Sequence, residues 1–508
     1  MSLVRRLGRT FPDGVFAVAV ACVLALALWL RVNDIGANPP GLVGDEVAGA
    51  VAAWQIATTG RDLERTWLPF LVVERESMKQ PIYGFSTVPA QALLGRTVEA
   101  VRLPAVLFGV VSTALVMWLA LLLRGSRLEA AAAGALFATA PWAVHYGRIG
   151  WETASFLPFT LGGIGLLWYG LERRRPPLTA LAVLVLALGS YTYQAALFMH
   201  VVLGGLVLAV RHRSLRRAEA AAVAAGGVAG LALLLPYLKA LAEEPLMTAR
   251  LKSIWVFRDG YDAAGLAHLA ANFGAQWDFT WLLGEGHWNL HYGPGIPLLL
   301  WPTIPLAAVG LLTLLARRRP SAVSVLLPLW LLVGQLPGAL TDFPPNFSRG
   351  LAALPALCII AAIGARWLWE RLAESAPRIA FAGALALLTI VQAADLYGEY
   401  FTGYPVRAER FFSYGFEELV RTTAETVAAG ATVCAPKLYA DEWPFRHRVR
   451  FALDAEPPFQ LLVADADPRC RQPGAYLMSY AQDAPAGTER IAVISSETAE
   501  HYALYLVR

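Results

Sequence analysis

Two adjacent carboxylates, Asp45 and Glu46, follow the first apolar stretch of the chain and stand where a helical pattern, Glu46 to Trp54, begins. The unsatisfied N–H groups and the dipole of a helix N-terminus favour anions at that place. Asp45 occupies the position of an N-cap, and capping is one sufficient reason for it. The other reading is chemical. A carboxylate there can serve as a general base toward a hydroxyl, worth roughly 10²–10⁴ in rate, or hold a divalent metal ion. Neighbours on a helix point to different faces, so Asp45 and Glu46 are expected to differ in role.

A second cluster is packed into the short stretch from His145 to Glu152, where His145, Arg148 and Glu152 stand between two apolar segments. Charges so close to lipid are costly unless paired or functional. Either Arg148 and Glu152 pair at helical spacing and anchor the helix ends, or they wall a cleft. Lys79 and Arg349 each place one cation at the start of an apolar stretch, suited to gripping a phosphate or to snorkelling toward lipid headgroups. His287 and His291 are four apart, as helical metal ligands can be, but Gly286, Gly293 and Pro294 crowd them and no HExxH accompanies them.

The elements that position these residues are membrane spans. The chain has 508 residues, 57% hydrophobic and 16% charged, with a mean hydropathy of +0.50, which excludes an ordinary soluble domain. About eleven transmembrane helices are expected, near Val15–Leu30, Val101–Leu123, Leu128–Val144, Phe156–Leu171, Leu178–Ser190, Ala195–Val210, Ala220–Leu238, Ile296–Ala316, Val323–Leu340, Leu351–Trp369 and Ile379–Ala394. Arginines test the list. Arg5, Arg6 and Arg9 precede the first span, and Arg124, Arg173 to Arg175, Arg211 to Arg217, Arg317 to Arg319 and Arg371 fill every second loop thereafter. Such an excess marks the cytoplasmic side, so the N-terminus is expected inside and the C-terminus extracytoplasmic. The first apolar segment is too long, and lacks the small-residue site, for a cleaved signal peptide, and is expected to remain as an anchor. The net charge of +4 is thus spent on topology and carries no nucleic-acid message.

The expected organisation is a transmembrane domain over 1–396, with outward loops 33–100 and 239–294, and a small soluble extracytoplasmic α/β domain over 397–508. In the tail a helix-like run, Phe416–Ala429, ends at Gly430, and short apolar runs follow at Ala431–Ala435, Leu461–Ala464, Ala475–Tyr480, Ile491–Ser495 and Ala503–Val507. In the second loop, Asp262–Phe273 has the pattern of an amphipathic interfacial helix. Gly226 and Gly230 suit a close helix–helix contact. Cys434 and Cys470 lie in the tail, where a disulfide is chemically permitted and two buried thiols are equally compatible with the sequence.

Several separated segments together resemble the GT-C-type glycosyltransferases that use polyprenyl-phosphate sugars, especially the glycosyltransferase 39 and aminoarabinose transferase-like group. Gly44-Asp45-Glu46-Val47 resembles that family's GDE(A) signature, Lys79-Gln80-Pro81-Ile82-Tyr83 its KPPLY element, and Glu99-Ala100-Val101-Arg102-Leu103-Pro104 its (E/A)xxRLP element. Tyr191-Thr192-Tyr193-Gln194 resembles its YTYQ-like turn, and Asn346-Phe347-Ser348-Arg349 its NxxR. Gln80 departs from KPPLY, and Glu152 stands where relatives carry aspartate or nothing acidic. The resemblance implies a GT-C-like fold in the cell (inner or plasma) membrane. It implies Asp45 as base or metal ligand with Glu46 supporting it, and Lys79, Arg148 and Arg349 on the donor phosphate. Tyr83, Glu152, Tyr193 and His291 would line the substrate cleft. The implied partners are a polyprenyl-phosphate sugar donor, membrane lipids, and a lipid, glycan or protein acceptor.

Physical reasoning runs the same way, since nucleotide sugars stay in the cytoplasm and an outward-facing enzyme needs a donor that the membrane presents. The rival classes are a lipid or glycan transporter or flippase, and a non-catalytic assembly subunit. A transporter places charges at mid-membrane on broken helices, whereas these spans are almost free of Asp, Glu and Lys.

Overall fold

The structure, a computed structural model, describes residues 13–61, 72–74, 77–243, 245–287, 289–290, 292–316, 318–371, 375–435, 444–453, 457–464, 466–496 and 499–508. The chain divides into two compact units, each assembled from two stretches: Met1–Asn33 with Ala105–Tyr400, and Asp34–Pro104 with Phe401–Arg508.

The first unit is helical. Among the described residues of the chain, seven helices are long and apolar enough to cross a membrane: Asp13–Val32, Val98–Arg124, Glu152–Arg173, Arg217–Glu243, Ala322–Ala339, Phe347–Arg371 and Ile379–Ala408. Pro176–Gly189, Ala196–Val210 and Thr303–Leu315 are shorter apolar helices. The expected span Leu128–Val144 is instead two helices, Arg127–Ala138 and Pro141–Tyr146. The cause is Pro141, which lacks an N–H and holds Ala140 at φ −70°, ψ 119°, outside the helical region. The expected Ile296–Ala316 span likewise becomes helical only at Thr303, beyond Pro297 and Pro302.

Lipid-like surroundings offer little hydrophobic drive between helices, so close contact relies on small residues. Thr303–Leu315 packs against Leu354–Arg371 where Gly310 meets the Ile360 carbonyl and Gly364 meets that of Leu306, with no room for a Cβ at either. Gly226 and Gly230 of Arg217–Glu243 lie in the same way on Pro176–Gly189, a Cβ on Gly226 falling 2.8 Å from the Ala180 oxygen. By contrast Ile379, Leu387, Leu388 and Val391 are exposed, as suits a helix facing lipid.

The second unit contains the small α/β domain. Gln460–Val463 pairs in parallel with Thr432–Ala435, which pairs in parallel with Tyr476–Tyr480; Glu500–Val507 and then Thr488–Ser495 add on antiparallel. All five strands coincide with the apolar runs of the tail. Helix Phe416–Thr426 supplies Phe416, Leu419 and Val420 to a core shared with Val433, Met478, Tyr502 and Leu504. Cys434 and Cys470 form a disulfide with Cα atoms 5.8 Å apart, which decides between the two states open to them. The same unit holds helices Gly44–Thr59 and Pro81–Leu94, and the hairpin of Val72–Glu74 with Ser77–Lys79.

The glycine contact between Thr303–Leu315 and Leu354–Arg371 gives a direct test. Gly310→Leu is expected to destabilise the protein by about 1–3 kcal/mol or more through overpacking. A lowered melting midpoint in detergent-solubilised protein, with little change for Gly274→Leu, where a Cβ meets nothing, would show it.

Candidate functional site

The acidic helix is placed differently from the capping expectation. It starts at Gly44, its N-cap is Val43, and Asp45 lies within its first turn. The cap is Glu46, whose Oε2 accepts the Val43 N–H at 3.0 Å. Glu46 is 1% exposed and is held from the other side by Arg102, which is fully buried. Arg102 Nε donates to Glu46 Oε1 at 2.9 Å and Nη2 to Oε2 at 3.2 Å. Its remaining donors reach the carbonyls of Ile35 at 3.2 Å, Pro39 at 2.6 Å and Gly41. One guanidinium thus ties together four points of the segment that presents Asp45. The side chain of Asp45 is only half-buried, so the two adjacent carboxylates differ in environment as helical geometry requires.

Tyr83, on helix Pro81–Leu94, is buried, and its hydroxyl donates to the Val101 carbonyl at 2.8 Å. Lys79 closes strand Ser77–Lys79 opposite Val72; its side chain lies outside the described residues, as does His291.

The other expected residues belong to the first unit. Arg148 is fully buried; its Nη1 donates to the Leu30 carbonyl at 2.9 Å, at the end of the first span, and its guanidinium lies 5.7 Å from the Tyr400 ring centre. The chain from Gly147 to Trp151 is not helical, so Arg148 and Glu152 are not one helical turn apart; Glu152 instead opens helix Glu152–Arg173. Arg349 sits in a capped turn. Asn346 Oδ1 accepts the Arg349 N–H at 3.1 Å and the Ser348 hydroxyl at 2.8 Å, while Gln276 Oε1 accepts the Asn346 N–H at 3.2 Å. Arg349 Nη1 donates to the Thr341 hydroxyl.

An aromatic wall adjoins Arg349. Tyr146 donates to the Tyr292 carbonyl at 2.9 Å and stacks on Trp151, which in turn lies against Tyr292. His287 packs among Trp281, Tyr292 and Phe347, and burial lowers its pKa, so its ring is neutral at pH 7. The Arg349 turn meets this cluster through Phe347, which lies against His287, while Tyr193 packs on Phe156. Tyr146 leads to Arg148 through His145 and Tyr400.

Sequence reasoning missed Arg102 as the partner of Glu46, although an arginine at the head of an apolar span asks for a counter-charge. It also missed Gln276 and Tyr146. Among the described residues no group of three His, Cys, Asp or Glu side chains could hold a metal ion.

No protein-family model and no curated protein matches the chain. Solved structures do. ArnT from Cupriavidus metallidurans, bound to undecaprenyl phosphate, is 15% identical and matches over 97% of this chain and 98% of its own, with a TM-score of 0.56. The Archaeoglobus fulgidus oligosaccharyltransferase in its apo form is 12% identical over 92% of this chain and 70% of its own, with a TM-score of 0.56. The archaeal oligosaccharyltransferase AglB from the same organism, in complex with an inhibitory peptide and a dolichol-phosphate, gives 12%, 92%, 69% and 0.54. The chain is therefore a multi-pass membrane protein of GT-C fold, carrying a small C-terminal α/β domain.

Removing one partner of the Glu46–Arg102 pair leaves a buried charge uncompensated, which costs about 3–5 kcal/mol. Arg102→Met and Glu46→Met are each expected to lower the melting midpoint strongly, and the double substitution to cost less than the sum of the two. A thermal double-mutant cycle on purified protein measures this coupling.

Proposed function

We propose that this protein is an integral membrane glycosyltransferase that moves a sugar from a polyprenyl-phosphate donor to an acceptor at the extracytoplasmic face. The observation that carries the reading is the different placement of the two first-loop carboxylates: Glu46 is buried against Arg102, whereas Asp45, in the first turn of the same helix, is half-buried. The fold adds support, because ArnT, which matches over nearly its full length, is a protein whose structure holds undecaprenyl phosphate. AglB, also of this fold, holds a dolichol-phosphate together with a peptide.

In this reading Asp45 accepts the proton of the acceptor hydroxyl as its oxygen bonds to the anomeric carbon. The bond from that carbon to the phosphate oxygen breaks on the opposite face, so configuration inverts and polyprenyl phosphate leaves. Arg349, Arg148 and Lys79 are the cations assigned to the phosphate, where fixed positive charge offsets the charge developing on the leaving group. The half-buried rings of Trp151 and Tyr292, linked to the Arg349 turn through His287 and Phe347, suit packing against a sugar ring or an isoprenoid. The transferred unit is a hexose or a pentose, and the acceptor a lipid, glycan or protein.

The orientation is part of the proposal: N-terminus cytoplasmic, C-terminal domain outside. The Cys434–Cys470 disulfide supports it, because such bonds persist in oxidising compartments.

Transfer of label from a polyprenyl-phosphate sugar pool in membranes tests the function. Asp45→Asn at matched expression is expected to lower transfer by about 10²-fold or more, and Arg349→Met to raise the donor KM. Full transfer by Asp45→Asn removes the base from the mechanism, and no transfer by wild type from any donor sinks the reaction class.

A further inference from the structure

The helix that presents Asp45 is built into the same compact unit as Phe401–Arg508, and the contacts between the two stretches are specific. Arg448, on helix Pro444–Leu453, is 7% exposed. Its Nη2 donates to the Leu42 carbonyl at 3.0 Å, two residues before the acidic helix begins. The same guanidinium grips Glu417 Oε1 through Nε at 3.1 Å and Nη2 at 2.9 Å, and lies 4.4 Å from the Phe416 ring centre. Its charge is thus balanced inside the α/β domain, while one donor reaches out to the loop.

Other contacts bear on the same segment. Arg96 Nη1 donates to the Arg450 carbonyl at 2.7 Å, and Arg450 Nη1 to Gln55 Oε1, on the acidic helix itself, at 3.3 Å. Phe451 is buried among Leu42, Val47, Ala50, Val51 and Val101. Gly41 has φ +70°, and a Cβ there would lie 2.7 Å from the Phe412 oxygen. A backbone approach this close, in a conformation L side chains rarely adopt, fixes the loop at one place.

We propose that the C-terminal domain is the platform that aims Asp45, and that Arg448 is the positioning residue through which it acts. The proposal rests on the reading of Asp45 as the base. Arg102 holds the carbonyls of Ile35, Pro39 and Gly41 together with Glu46, and Arg448 holds that of Leu42. Asp45 lies in the chain between these fixed points. A displacement of about 1 Å at a reacting group is enough to cost on the order of 10²-fold in rate. The donor phosphate is assigned to other residues, so loosening this brace acts on turnover and not on donor affinity.

The test compares wild type with Arg448→Met, Arg448→Lys and Asp45→Asn as purified full-length protein. Arg448→Met is expected to lower kcat by about 10- to 100-fold, to leave the donor KM within about twofold, and to shift the acidic limb of the kcat pH profile. Arg448→Lys, which keeps a donor and a charge for Glu417, is expected to restore part of the loss. Carbodiimide labelling read by mass spectrometry gives a readout independent of activity: the rate at which Asp45 is modified changes in Arg448→Met, with Glu46 still protected and the Cys434–Cys470 bond still formed. Unchanged kcat and unchanged Asp45 labelling in Arg448→Met would overturn the platform role. Should Arg448→Met fail to fold, Arg448→Lys decides, since wild-type kcat and pH profile beside wild-type KM would contradict any dependence on the geometry of this contact beyond its charge. If Asp45→Asn transfers normally, the base assignment fails by itself, and the labelling comparison still judges the brace.

Discussion

A guanidinium with no access to water dictates much of what surrounds it, and Arg102 is in that position. Burying such a charge costs several kcal/mol unless an opposite charge and enough acceptors accompany it. Glu46 provides the charge, and the carbonyls of Ile35, Pro39 and Gly41 provide the acceptors. The constraint runs in both directions. Arg102 cannot be satisfied unless residues 35 to 46 follow one particular path, and that path fixes the direction in which the neighbouring Asp45 leaves the backbone. Gly41 and the early start of the acidic helix at Gly44 are consequences of the same closure.

The same rule governs the helical unit. Arg31 is fully buried near the end of the first span and donates through Nη1 to the carbonyls of Ala27, one turn back on its own helix, and of Ala138, at a helix C-terminal end where a cation is favoured. Gly109 and Gly147 clear the space its side chain fills. Arg148 serves the Leu30 carbonyl likewise. These cations knit together the ends of helices that Pro141 and the turn from Gly147 to Trp151 interrupt, so a residue that reads as a phosphate contact also has work in the scaffold.

Most of the apolar helices were legible because hydropathy follows directly from the cost of exposing backbone to lipid, and the five strands of the tail were legible from their apolar runs. Breaks at Pro141, Pro297 and Pro302 were visible as residues, yet a long apolar window outweighed them. Of the two readings open for Asp45, the structure removes the N-cap, since the capping contact comes from Glu46 reaching back to Val43, a geometry that spacing alone leaves equally open. Least legible was the membership of Asp34–Pro104 and Phe401–Arg508 in one compact unit. Partners such as Arg448 and Leu42 are about four hundred residues apart, and no local pattern encodes a contact at that separation.

That long-range association also gives the disulfide a purpose beyond the domain that contains it. Cys434 and Cys470 are 36 residues apart, and the segment between them includes helix Pro444–Leu453, with Arg448, Arg450 and Phe451. Closing the segment removes unfolded conformations in which this helix strays from the sheet. The helix meets the Asp45 segment through hydrogen bonds of Arg448 and Arg450 and through the buried Phe451. The covalent tie therefore lowers the entropy cost of ordering against the sheet the helix from which Arg448 reaches the Leu42 carbonyl.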